Sequence, residues 1–501
     1  MQVHTYVGAI QEAATDLVVI NLFEGATSLG GASAAVDRAL GGAISDLLAS
    51  GDLRGKLGET TVLYPRGAIP AKRVMVAGLG ARDKLDLTAV RRASACVAQA
   101  AQKLKVTTIH TILHGAGVGG LEPTDAAQAI VEGTLLGGYR FAGYGAPTPD
   151  APISLERLYL VVFDAAMQDS VAQGAEVGRI IAESACLARD LVSRPANYLT
   201  PTLLAEAALA VAQEVGLHCE MLDEARLADL GMGALLGVAQ GSQQPPRLIV
   251  LEHRGATPEM APYVVVGKGI TFDSGGISLK PGEGMDKMKD DMAGAAATLG
   301  VLRAAALLRL PLNVVGLIPA TENLPDGRAY KPGDVLKAMS GLTIEVISTD
   351  AEGRLILADA LAYAKRYQPR AVVDLATLTG GCVVALGHVA SGLMGNDEAL
   401  LQALRQAAAQ SSEMTWPLPL WDDYAEQIKS DVADLKNSGG REASAIIGGM
   451  FLKRFAEGYP WAHLDIAGMA WSEQACYDVP KGATGYGVRL LIQWLRNVAA
   501  A

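Results

Sequence analysis

Charged residues stand inside glycine-rich, otherwise apolar stretches of this 501-residue chain. Residues 264–280 read V-V-V-G-K-G-I-T-F-D-S-G-G-I-S-L-K, 288–292 read M-K-D-D-M, and 348–355 read S-T-D-A-E-G-R-L. Sequence rich in glycine and β-branched residues is typical of buried turns, where charged groups are nearly always paired or metal-bound because isolated buried charge is costly. The stretches are therefore expected to meet in the fold, with a pair of divalent cations as the natural counter-charge.

The last of these stretches also predicts a local geometry. The apolar residues at 342, 344, 346 and 347 predict a strand that runs into it. Side chains at i, i+2 and i+4 of an extended segment share a face, so Asp350, Glu352 and Arg354 are predicted to point into one cavity. The charged residues of the upstream cluster would join them there: Lys268, Asp273, Lys280 and Asp291.

Helix caps and surface salt bridges are the alternative explanation for these acids, since they account for most acidic residues in most proteins. The spacing of Lys268, Asp273 and Lys280 argues against it, because glycine and β-branched residues separate them. A carboxylate-rich metal site is the favoured interpretation, and physical chemistry alone leaves the metal open. The sequence contains no H-E-x-x-H or H-x-H, so a histidine-ligated zinc site is not expected.

Strand-like and helix-like segments alternate along the chain, which predicts an α/β protein. In the first 165 residues, strands are predicted over 17–20, 73–77, 108–113 and 158–163, a helix over 89–105, and a Gly- and Pro-rich loop over 139–153. Later strands are predicted over 247–251, 263–266, 312–317, 344–348 and 371–375. The pattern is that of sheets flanked by helices.

Length and patterning predict two domains. The smaller N-terminal α/β domain would cover 1–165, and the larger C-terminal α/β domain, with a central mixed sheet flanked by helices, 166–501. A helix at about 172–192 would begin the second domain and link the two. It is predicted to end before Pro195, because the residue preceding proline disfavours helical geometry. Thr200 then predicts the cap of a new helix, with Pro201 in its first turn.

Two other motifs are interpreted as structural. Residues 115–120 read G-A-G-V-G-G, a literal G-x-G-x-x-G after a strand. A dinucleotide fingerprint also requires a helix that starts inside the motif and an acid about 20 residues later. Pro123 follows too closely and the expected acid is missing, so we predict a structural turn. Ser274 lacks a surrounding G-x-S-x-G and is interpreted as an ordinary loop serine.

Composition restricts the partners and the compartment. The formal net charge is −11, with most of the acidic excess after residue 165, which does not favour nucleic acid. Five scattered cysteines without C-x-x-C predict reduced thiols and a cytoplasmic location. The first residues lack a basic segment followed by an apolar one, so no secretory signal is expected. The longest apolar stretch, 371–395, contains Asp374 and His388 and predicts buried strand, loop and helix rather than a membrane span.

Several long segments resemble the signature blocks of the leucyl aminopeptidase (cytosol aminopeptidase) family. The segments are G-K-G-I-T-F-D-S-G-G-I-S-L-K-P, K-D-D-M-A-G-A-A, S-T-D-A-E-G-R-L, D-L-A-T-L-T-G, S-R-P-A-N, H-L-D-I-A-G and T-G-Y-G-V. The resemblance covers most of 170–495, whereas the first 165 residues match only in general character. Ser348 departs from the family pattern, which usually has asparagine there, and it adjoins the site without being a ligand.

The resemblance implies a dinuclear metal site that holds zinc, manganese or magnesium. Asp273 and Glu352 would bridge the two ions. Lys268 and Asp291 would complete one ion, and Asp350 the other through its side chain and backbone carbonyl. A lysine ligand must be neutral, and two adjacent dications would lower its pKa.

The resemblance also implies roles around the metals. Lys280 would stabilise charge that develops on the scissile carbonyl. Arg354 would hold bicarbonate beside the attacking water to shuttle its proton, because no histidine is available. Residues expected to contact the substrate are Met288, Thr377, Leu378, Gly380 and Ala467.

The implied activity is a metal-dependent aminopeptidase that releases N-terminal amino acids, with leucine and other apolar residues favoured, from peptides with a free N-terminus. The family further implies a homohexamer whose active sites face an inner cavity, and the N-terminal domain would serve oligomerisation or regulation. The alternatives are a non-catalytic scaffold or DNA-binding member of the same fold and a metal-dependent phosphatase. The sequence also leaves DNA binding open as a second activity.

Overall fold

The computed structural model describes residues 1–146 and 153–501. The described residues form two compact units. The first unit comprises Met1–Glu183 and Gln474–Lys481, and the second comprises Ser184–Glu473 and Gly482–Ala501. The chain passes from one to the other within the long helix Gln168–Ser193.

One sheet is the centre of the first unit. Within the described residues its strands are β1 (Gln2–Val7), β2 (Leu17–Leu22), β3 (Thr60–Leu63), β4 (Val74–Gly78), β5 (Thr108–Ile112) and β6 (Arg157–Val162). They lie in the order β1-β6-β5-β2-β4-β3, and each neighbouring pair is parallel except β3 with β4. The helices are α1 (Gly31–Ala39), α2 (Ala43–Ser50), α3 (Leu87–Lys103), α4 (Pro123–Gly137) and the first part of α5 (Gln168–Ser193).

Both faces of this sheet are apolar, as expected when helices cover a parallel sheet on both sides. Successive side chains of β2 point to opposite faces. Leu17 and Val19 belong to a core with residues of α3 and α4, whereas Val18 and Ile20 belong to a core with residues of α1 and α2. Because strands and helices alternate along the chain, helices pack on both faces of the sheet and form a layered arrangement.

A second, larger sheet is the centre of the second unit. The strands of this unit are β7 (His218–Leu222), β8 (Arg247–Arg254), β9 (Tyr263–Gly267), β10 (Gly269–Asp273), β11 (Asn313–Asn323), β12 (Val335–Lys337), β13 (Thr343–Glu345), β14 (Ala371–Ala376), β15 (Ser391–Gly395), β16 (Thr415–Pro417), β17 (Leu435–Lys436), β18 (Trp461–Asp465), β19 (Trp471–Ser472) and β20 (Gly482–Ala483). After α5, the helices are α6 (Pro201–Val215), α7 (Glu224–Asp229), α8 (Gly233–Ala239), α9 (Ala293–Leu307), α10 (Gly353–Ala364), α11 (Gly380–Leu386), α12 (Glu398–Ser411), α13 (Ser444–Lys453) and α14 (Val488–Ala500).

The large sheet is mixed, and its parallel strands share one carboxyl edge. The main path runs β16-β15-β18-β14-β9-β11-β8-β7, with β10 paired to β11. The central strands β18, β14, β9, β11 and β10 are parallel to one another, whereas β7, β8 and β15 pair antiparallel to a neighbour. Lys268 follows β9, Asp273 ends β10 and Thr377 follows β14, so all three lie along that edge. Carboxyl ends of strands are where open α/β sheets bind ligands.

One predicted strand is wrong in its extent. The run predicted over 344–348 forms only the short strand Thr343–Glu345. Beyond it, the N–H of Val346 donates to the carbonyl of Asp334 at 2.8 Å. The N–H of Ile347 donates to the side chain of Asn437, also at 2.8 Å. These partners end the regular ladder, and they are too distant in sequence for a local pattern to reveal them.

The other predicted elements are confirmed, with bounds within a few residues except for a longer β11. Thr200 caps α6 through a 3.4 Å bond from the N–H of Leu203. The glycine motif forms a short 3-10 turn over Gly117–Gly119, and α4 begins only at Pro123. Of the predicted loop 139–153, residues 147–152 lie outside the described residues.

None of the helices in the described residues is long and apolar enough to cross a membrane. The helix predicted over 172–192 corresponds to α5, whereas the domain boundary placed near residue 165 stays a prediction.

A buried ion pair connects α3 with α4 in the first unit, and its removal tests how the two helices pack. Arg91 Nε lies 2.7 Å from Glu132 Oε2, with both side chains almost fully buried. Glu132→Ala is expected to lower the free energy of unfolding by about 3–5 kcal/mol, because it leaves an uncompensated buried charge. Urea unfolding followed by circular dichroism measures this. The double variant Arg91→Leu/Glu132→Leu should recover most of the loss, and equal instability in the two variants would contradict the explanation.

Candidate functional site

A cavity of about 440 Å³ opens at the carboxyl edge of the large sheet. The residues to which the sequence assigned metal-binding, catalytic or substrate-binding roles all line it: Lys268, Asp273, Lys280, Met288, Asp291, Asp350, Glu352, Arg354, Thr377, Leu378, Gly380 and Ala467. The fold therefore brings together side chains from widely separated segments. Their individual chemical roles stay predictions.

The ammonium group of Lys268 is buried among oxygen atoms. Its Nζ lies 2.7 Å from Asp291 Oδ1 and 2.8 Å from Glu352 Oε1. It also donates to the carbonyl of Thr377 at 2.9 Å. Burial by itself would lower the pKa of Lys268, but the surrounding carboxylates outweigh burial and raise that pKa above its usual value. Lys268 is therefore an ammonium ion in this arrangement.

The side chain of Lys268 passes directly over the start of α10. A Cβ added at Gly353 would lie 2.6 Å from Lys268 Nζ, and it would come even closer to Cε. Real Cβ atoms do not approach other atoms so closely. A larger residue in place of Gly353 would therefore displace the end of the Lys268 side chain from its present position.

Lys280 connects the charged stretch 264–280 with the charged stretch 348–355. Its Nζ lies 2.8 Å from Asp273 Oδ2 and also pairs with Asp350 Oδ1. Burial opposes the charged form, but the neighbouring carboxylates raise the pKa of Lys280 above its usual value. Its side chain keeps partial exposure, so the structure presents a permanent cation to the cavity.

Asp350, Glu352 and Arg354 reach the cavity through a backbone different from the one predicted. Asp350 lies in a turn, Glu352 already has helical angles (φ −73°, ψ −37°), and Arg354 lies in the first turn of α10. The prediction of a shared strand face is therefore wrong. Hydrogen bonds from the N–H of Ala351 to Ser348 O and from the N–H of Asp350 to Ser348 Oγ form the turn. The helix-forming sequence after Gly353 then continues as α10, and this turn-to-helix junction makes the three side chains converge.

Carboxylates outnumber ammonium groups in this cluster, which contains Lys268, Asp273, Lys280, Asp291, Asp350 and Glu352. Burial raises the pKa values of Asp273, Asp291 and Asp350. Burial would also raise the pKa of Glu352, but the two lysines hold it below its usual value. The cluster thus contains more acidic groups than its own ammonium groups can neutralise.

The oxygen atoms of the cluster fit divalent cations. One carboxylate oxygen each from Asp273, Asp350 and Glu352 lies within 4.8 Å of the others. Oδ2 of Asp291 is buried and has no hydrogen-bond partner among the described residues. Hard divalent cations take several carboxylate oxygens as ligands. The donor set is therefore suited to a metal site.

Arg354 supplies a further buried cation. Its side chain is 7% exposed, and Nη1 donates to the backbone carbonyl of Asn437 at 2.8 Å. Its Nε is buried and has no partner among the described residues. Burial lowers the pKa of Arg354, and the charges of Glu352, Asp465 and Asp350 oppose this effect. A small anion could satisfy such a guanidinium.

Asn323, which ends β11 and is fully buried, is a site residue that the sequence did not predict. Its Nδ2 donates to Asp273 Oδ1 at 2.8 Å, to Thr349 O at 2.9 Å and more weakly to Glu352 Oε2 at 3.4 Å. It therefore contacts two of the predicted metal-bridging carboxylates. The available signal was its position at the end of an apolar strand, because Asn323 belongs to none of the recognised motifs.

Asp465 was also missed, although it lies in the quoted block H-L-D-I-A-G. Its fully buried carboxylate accepts bonds from the N–H of Leu378 and of Ala467, each at 3.2 Å, and from Thr379 Oγ1 at 2.6 Å. This one side chain connects two walls of the cavity, the segment after β14 and the segment after β18.

The chain is similar to one protein family along nearly its whole length. Residues 186–492 match the cytosol aminopeptidase family catalytic domain, and residues 19–147 match the N-terminal domain of the same family. A probable cytosol aminopeptidase of Syntrophotalea carbinolica is 50% identical over 463 residues, which cover 92% of this chain and 93% of that protein. The cytosol aminopeptidase of Pseudomonas aeruginosa is 47% identical over 482 residues, 96% of each chain.

Solved structures of related enzymes share the fold of this chain. A mutant of tomato leucine aminopeptidase superposes with a TM-score of 0.89 at 32% identity, covering 99% of this chain and 96% of that one. The bottromycin maturation enzyme BotP in complex with Mn superposes with a TM-score of 0.85 at 36% identity, covering 97% and 100%.

The raised pKa values predict competition between protons and cations. Below their raised pKa values, Asp273, Asp291 and Asp350 take up protons that a cation has to displace. Mn²⁺ affinity should therefore fall as the pH decreases through the range that includes about pH 6, the value to which the pKa of Asp273 is raised. Isothermal titration calorimetry of the metal-free protein measures the affinity, and repeating it in buffers of different ionisation enthalpy counts the released protons. Affinity that is constant over this range, with no proton release, would contradict the prediction.

Proposed function

The chain belongs to the cytosol aminopeptidase family, and on that premise we propose that the cavity at the carboxyl edge of the large sheet is where it cleaves peptides. The protein is a metal-dependent aminopeptidase, and its reaction is the release of N-terminal amino acids. The observation that carries the proposal is the buried cluster in which Lys268 and Lys280 face more carboxylates than they can neutralise.

Five side chains would hold two divalent ions. These side chains would be Lys268, Asp273, Asp291, Asp350 and Glu352, all of which line the cavity. When bound, the ions would supply a water that is nucleophilic at neutral pH. Manganese is supported by the manganese complex of the related enzyme BotP, and zinc or magnesium follow from the family resemblance.

Lys268 would change its protonation state when the ions bind. Its Nζ lies within 2.8 Å of both Asp291 and Glu352, two of the carboxylates that would hold the ions. As a ligand it must release the proton that the carboxylates now stabilise. Metal binding would therefore release this proton, together with those on the carboxylates of raised pKa.

Lys280 would stabilise the negative charge that develops on the scissile carbonyl. Its raised pKa keeps it positively charged at neutral pH, and its position between Asp273 and Asp350 places the charge beside the predicted metal ligands. A fixed cation in a site that excludes water is more effective than one in solution. Because Lys280 is already oriented, little reorganisation is needed during the reaction.

Asp291 would help to select chain ends. Its Oδ1 accepts bonds from Lys268 at 2.7 Å and from Thr377 Oγ1 at 2.7 Å, while its buried Oδ2 has no partner among the described residues. The α-amine of a peptide could donate to this oxygen. An internal peptide bond has no such amine, which explains exopeptidase action.

The remaining contacts would orient the substrate and one anion. Because Asp465 occupies the N–H of Leu378, this residue would bind the substrate backbone through its carbonyl, beside Thr377 and Gly380. Arg354 would hold bicarbonate through Nε, which has no hydrogen-bond partner among the described residues. Met288 and Ala467 would line an apolar pocket for leucine and similar side chains.

Assembly, location and the role of the N-terminal domain follow from the resemblance. We propose a homohexamer with active sites that face an inner cavity, a cytoplasmic location, and an N-terminal domain that serves oligomerisation or regulation. The free cysteines support a reducing compartment. The comparisons do not favour the scaffold, DNA-binding or phosphatase alternatives.

Substitution of Lys280 tests the active-site proposal. Lys280→Ala should reduce kcat for a leucine anilide at least about 100-fold, because one stabilising cation is lost from the transition state. Lys72→Ala removes an exposed lysine that lies 2.7 Å from Asp16 in the first unit, and it should leave kcat unchanged. Steady-state kinetics with Mn²⁺ measure both. Wild-type kcat in the Lys280 variant would refute its assigned role.

The close contact at Gly353 gives an independent test. Gly353→Ala should displace the Lys268 ammonium group from Asp291 and Glu352 and lower kcat about 10-fold or more, although alanine favours helix over glycine by up to about 1 kcal/mol. At Gly282 an added Cβ meets nothing within 4 Å, so Gly282→Ala is the matched control. If both variants kept wild-type kcat, the contact would have no catalytic importance.

A further inference from the structure

Asn437 is a fully buried amide that uses all its hydrogen-bonding capacity. Its Oδ1 accepts bonds from the N–H of Ile347 at 2.8 Å and of Ser348 at 3.3 Å. Its Nδ2 donates to the carbonyl of Ser348 at 2.7 Å and, more weakly, to that of Ala351 at 3.5 Å. An asparagine amide offers two acceptor and two donor positions, and each is used here.

All four bonds go to the backbone of one short loop. Residues 346–352 connect β13 to α10 and carry both Asp350 and Glu352. Regular secondary structure does not hold this loop, so its backbone groups need partners from elsewhere. Asn437 supplies them from a segment about 90 residues away in sequence.

The backbone of Asn437 contacts the same site. Its carbonyl accepts the 2.8 Å bond from Arg354 Nη1, and its N–H donates to Glu345 O at 3.0 Å. Residues 438–440, immediately after it, line the cavity. One residue thus connects the loop with two predicted metal ligands, the guanidinium of Arg354 and a wall of the cavity.

We propose that Asn437 is a positioning residue for the reaction: its amide holds the 346–352 loop in the geometry that lets Asp350 and Glu352 bind metal ions. The proposal rests on the proposed function. Its side chain bonds the loop backbone, so Asn437 acts through the carboxylates that the loop carries. Changes to such supporting hydrogen bonds typically cost metal sites about 10–100-fold in affinity or activity.

Asn437→Asp isolates the donor half of the amide. The change preserves size but replaces Nδ2 by an oxygen that faces the carbonyls of Ser348 and Ala351, which is repulsive. We expect the Kd for Mn²⁺, measured by calorimetry on the metal-free enzyme, to rise about 10–100-fold, and kcat for a leucine anilide to fall about as much. KM should change less, because Leu378, Thr379 and Ala467 are held by Asp465 instead.

Asn396→Asp is the control, made at an exposed amide rather than a buried one. Asn396 also bonds only backbone groups: it accepts from the N–H of Trp461 at 2.7 Å and donates to Tyr459 O at 3.1 Å and Ala456 O at 3.3 Å. Trp461 begins β18, so these contacts lie at the opposite end of that strand from the cavity. The control should lose thermal stability yet keep wild-type kcat and Mn²⁺ affinity.

The outcomes separate this inference from the proposed function. Wild-type protein that fails to hydrolyse the anilide with Mn²⁺ would refute the proposed function itself. Active wild type, with Asn437→Asp equal to Asn396→Asp in kcat and in Mn²⁺ Kd, would overturn the positioning role alone. If Asn437→Asp does not fold, the neutral Asn437→Ser replaces it and the same criteria apply. Failure of both to fold would assign Asn437 to the fold and overturn the inference.

Discussion

The pairing of a buried lysine with carboxylates is the interaction on which the rest of this structure depends. Lys268 Nζ lies 2.7 Å from Asp291 and 2.8 Å from Glu352, and all three side chains are almost fully buried. Buried ion pairs recover their desolvation cost only when the geometry is accurate. The sheet edge, the turn before α10 and the start of that helix must therefore be built around Lys268. Because acids remain in excess even after this pairing, the same interaction leaves a site of raised carboxyl pKa values that suits divalent cations.

The backbone achieves this geometry with parallel strands and small residues. β9, β10, β11, β14 and β18 end at one edge, so residues that are remote in sequence become neighbours without long loops. Charged and polar residues can occur there because the apolar strands bury the rest of the sheet. At Gly353 the absence of a Cβ lets the Lys268 side chain cross the helix start, and at Asp465 a buried carboxylate ties the segments after β14 and β18 together. The carboxyl edge of the large sheet therefore supports both the proposed metal-binding residues and the proposed substrate-binding residues.

Much of the fold could be predicted because hydrophobic periodicity is a local property. The strand at 263–266 and the helix opened by Thr200 and Pro201 were confirmed, since their patterns are apolar runs and caps that need no distant partner. The strand predicted over 344–348 was wrong in its extent, because the N–H of Ile347 donates to the side chain of Asn437 and not to a neighbouring strand. The convergence of Asp350, Glu352 and Arg354 was predicted correctly from an incorrect backbone. Burial of charge demanded that they meet, but it did not specify whether a strand or a turn would bring them together.

The sequence by itself determined which groups had to be buried together and what they could bind. Lysines and acids within glycine-rich, apolar segments are stable only when paired, and this requirement can be read without coordinates. Only the tertiary structure decided which residues hold those groups in place. Asn323, Asn437 and Asp465 act through bonds to backbone and side-chain groups far away in sequence, with no periodicity or charge pattern to mark them. The physical reason is that an amide or carboxylate becomes a support only when the fold brings unsatisfied polar groups within about 3 Å of it.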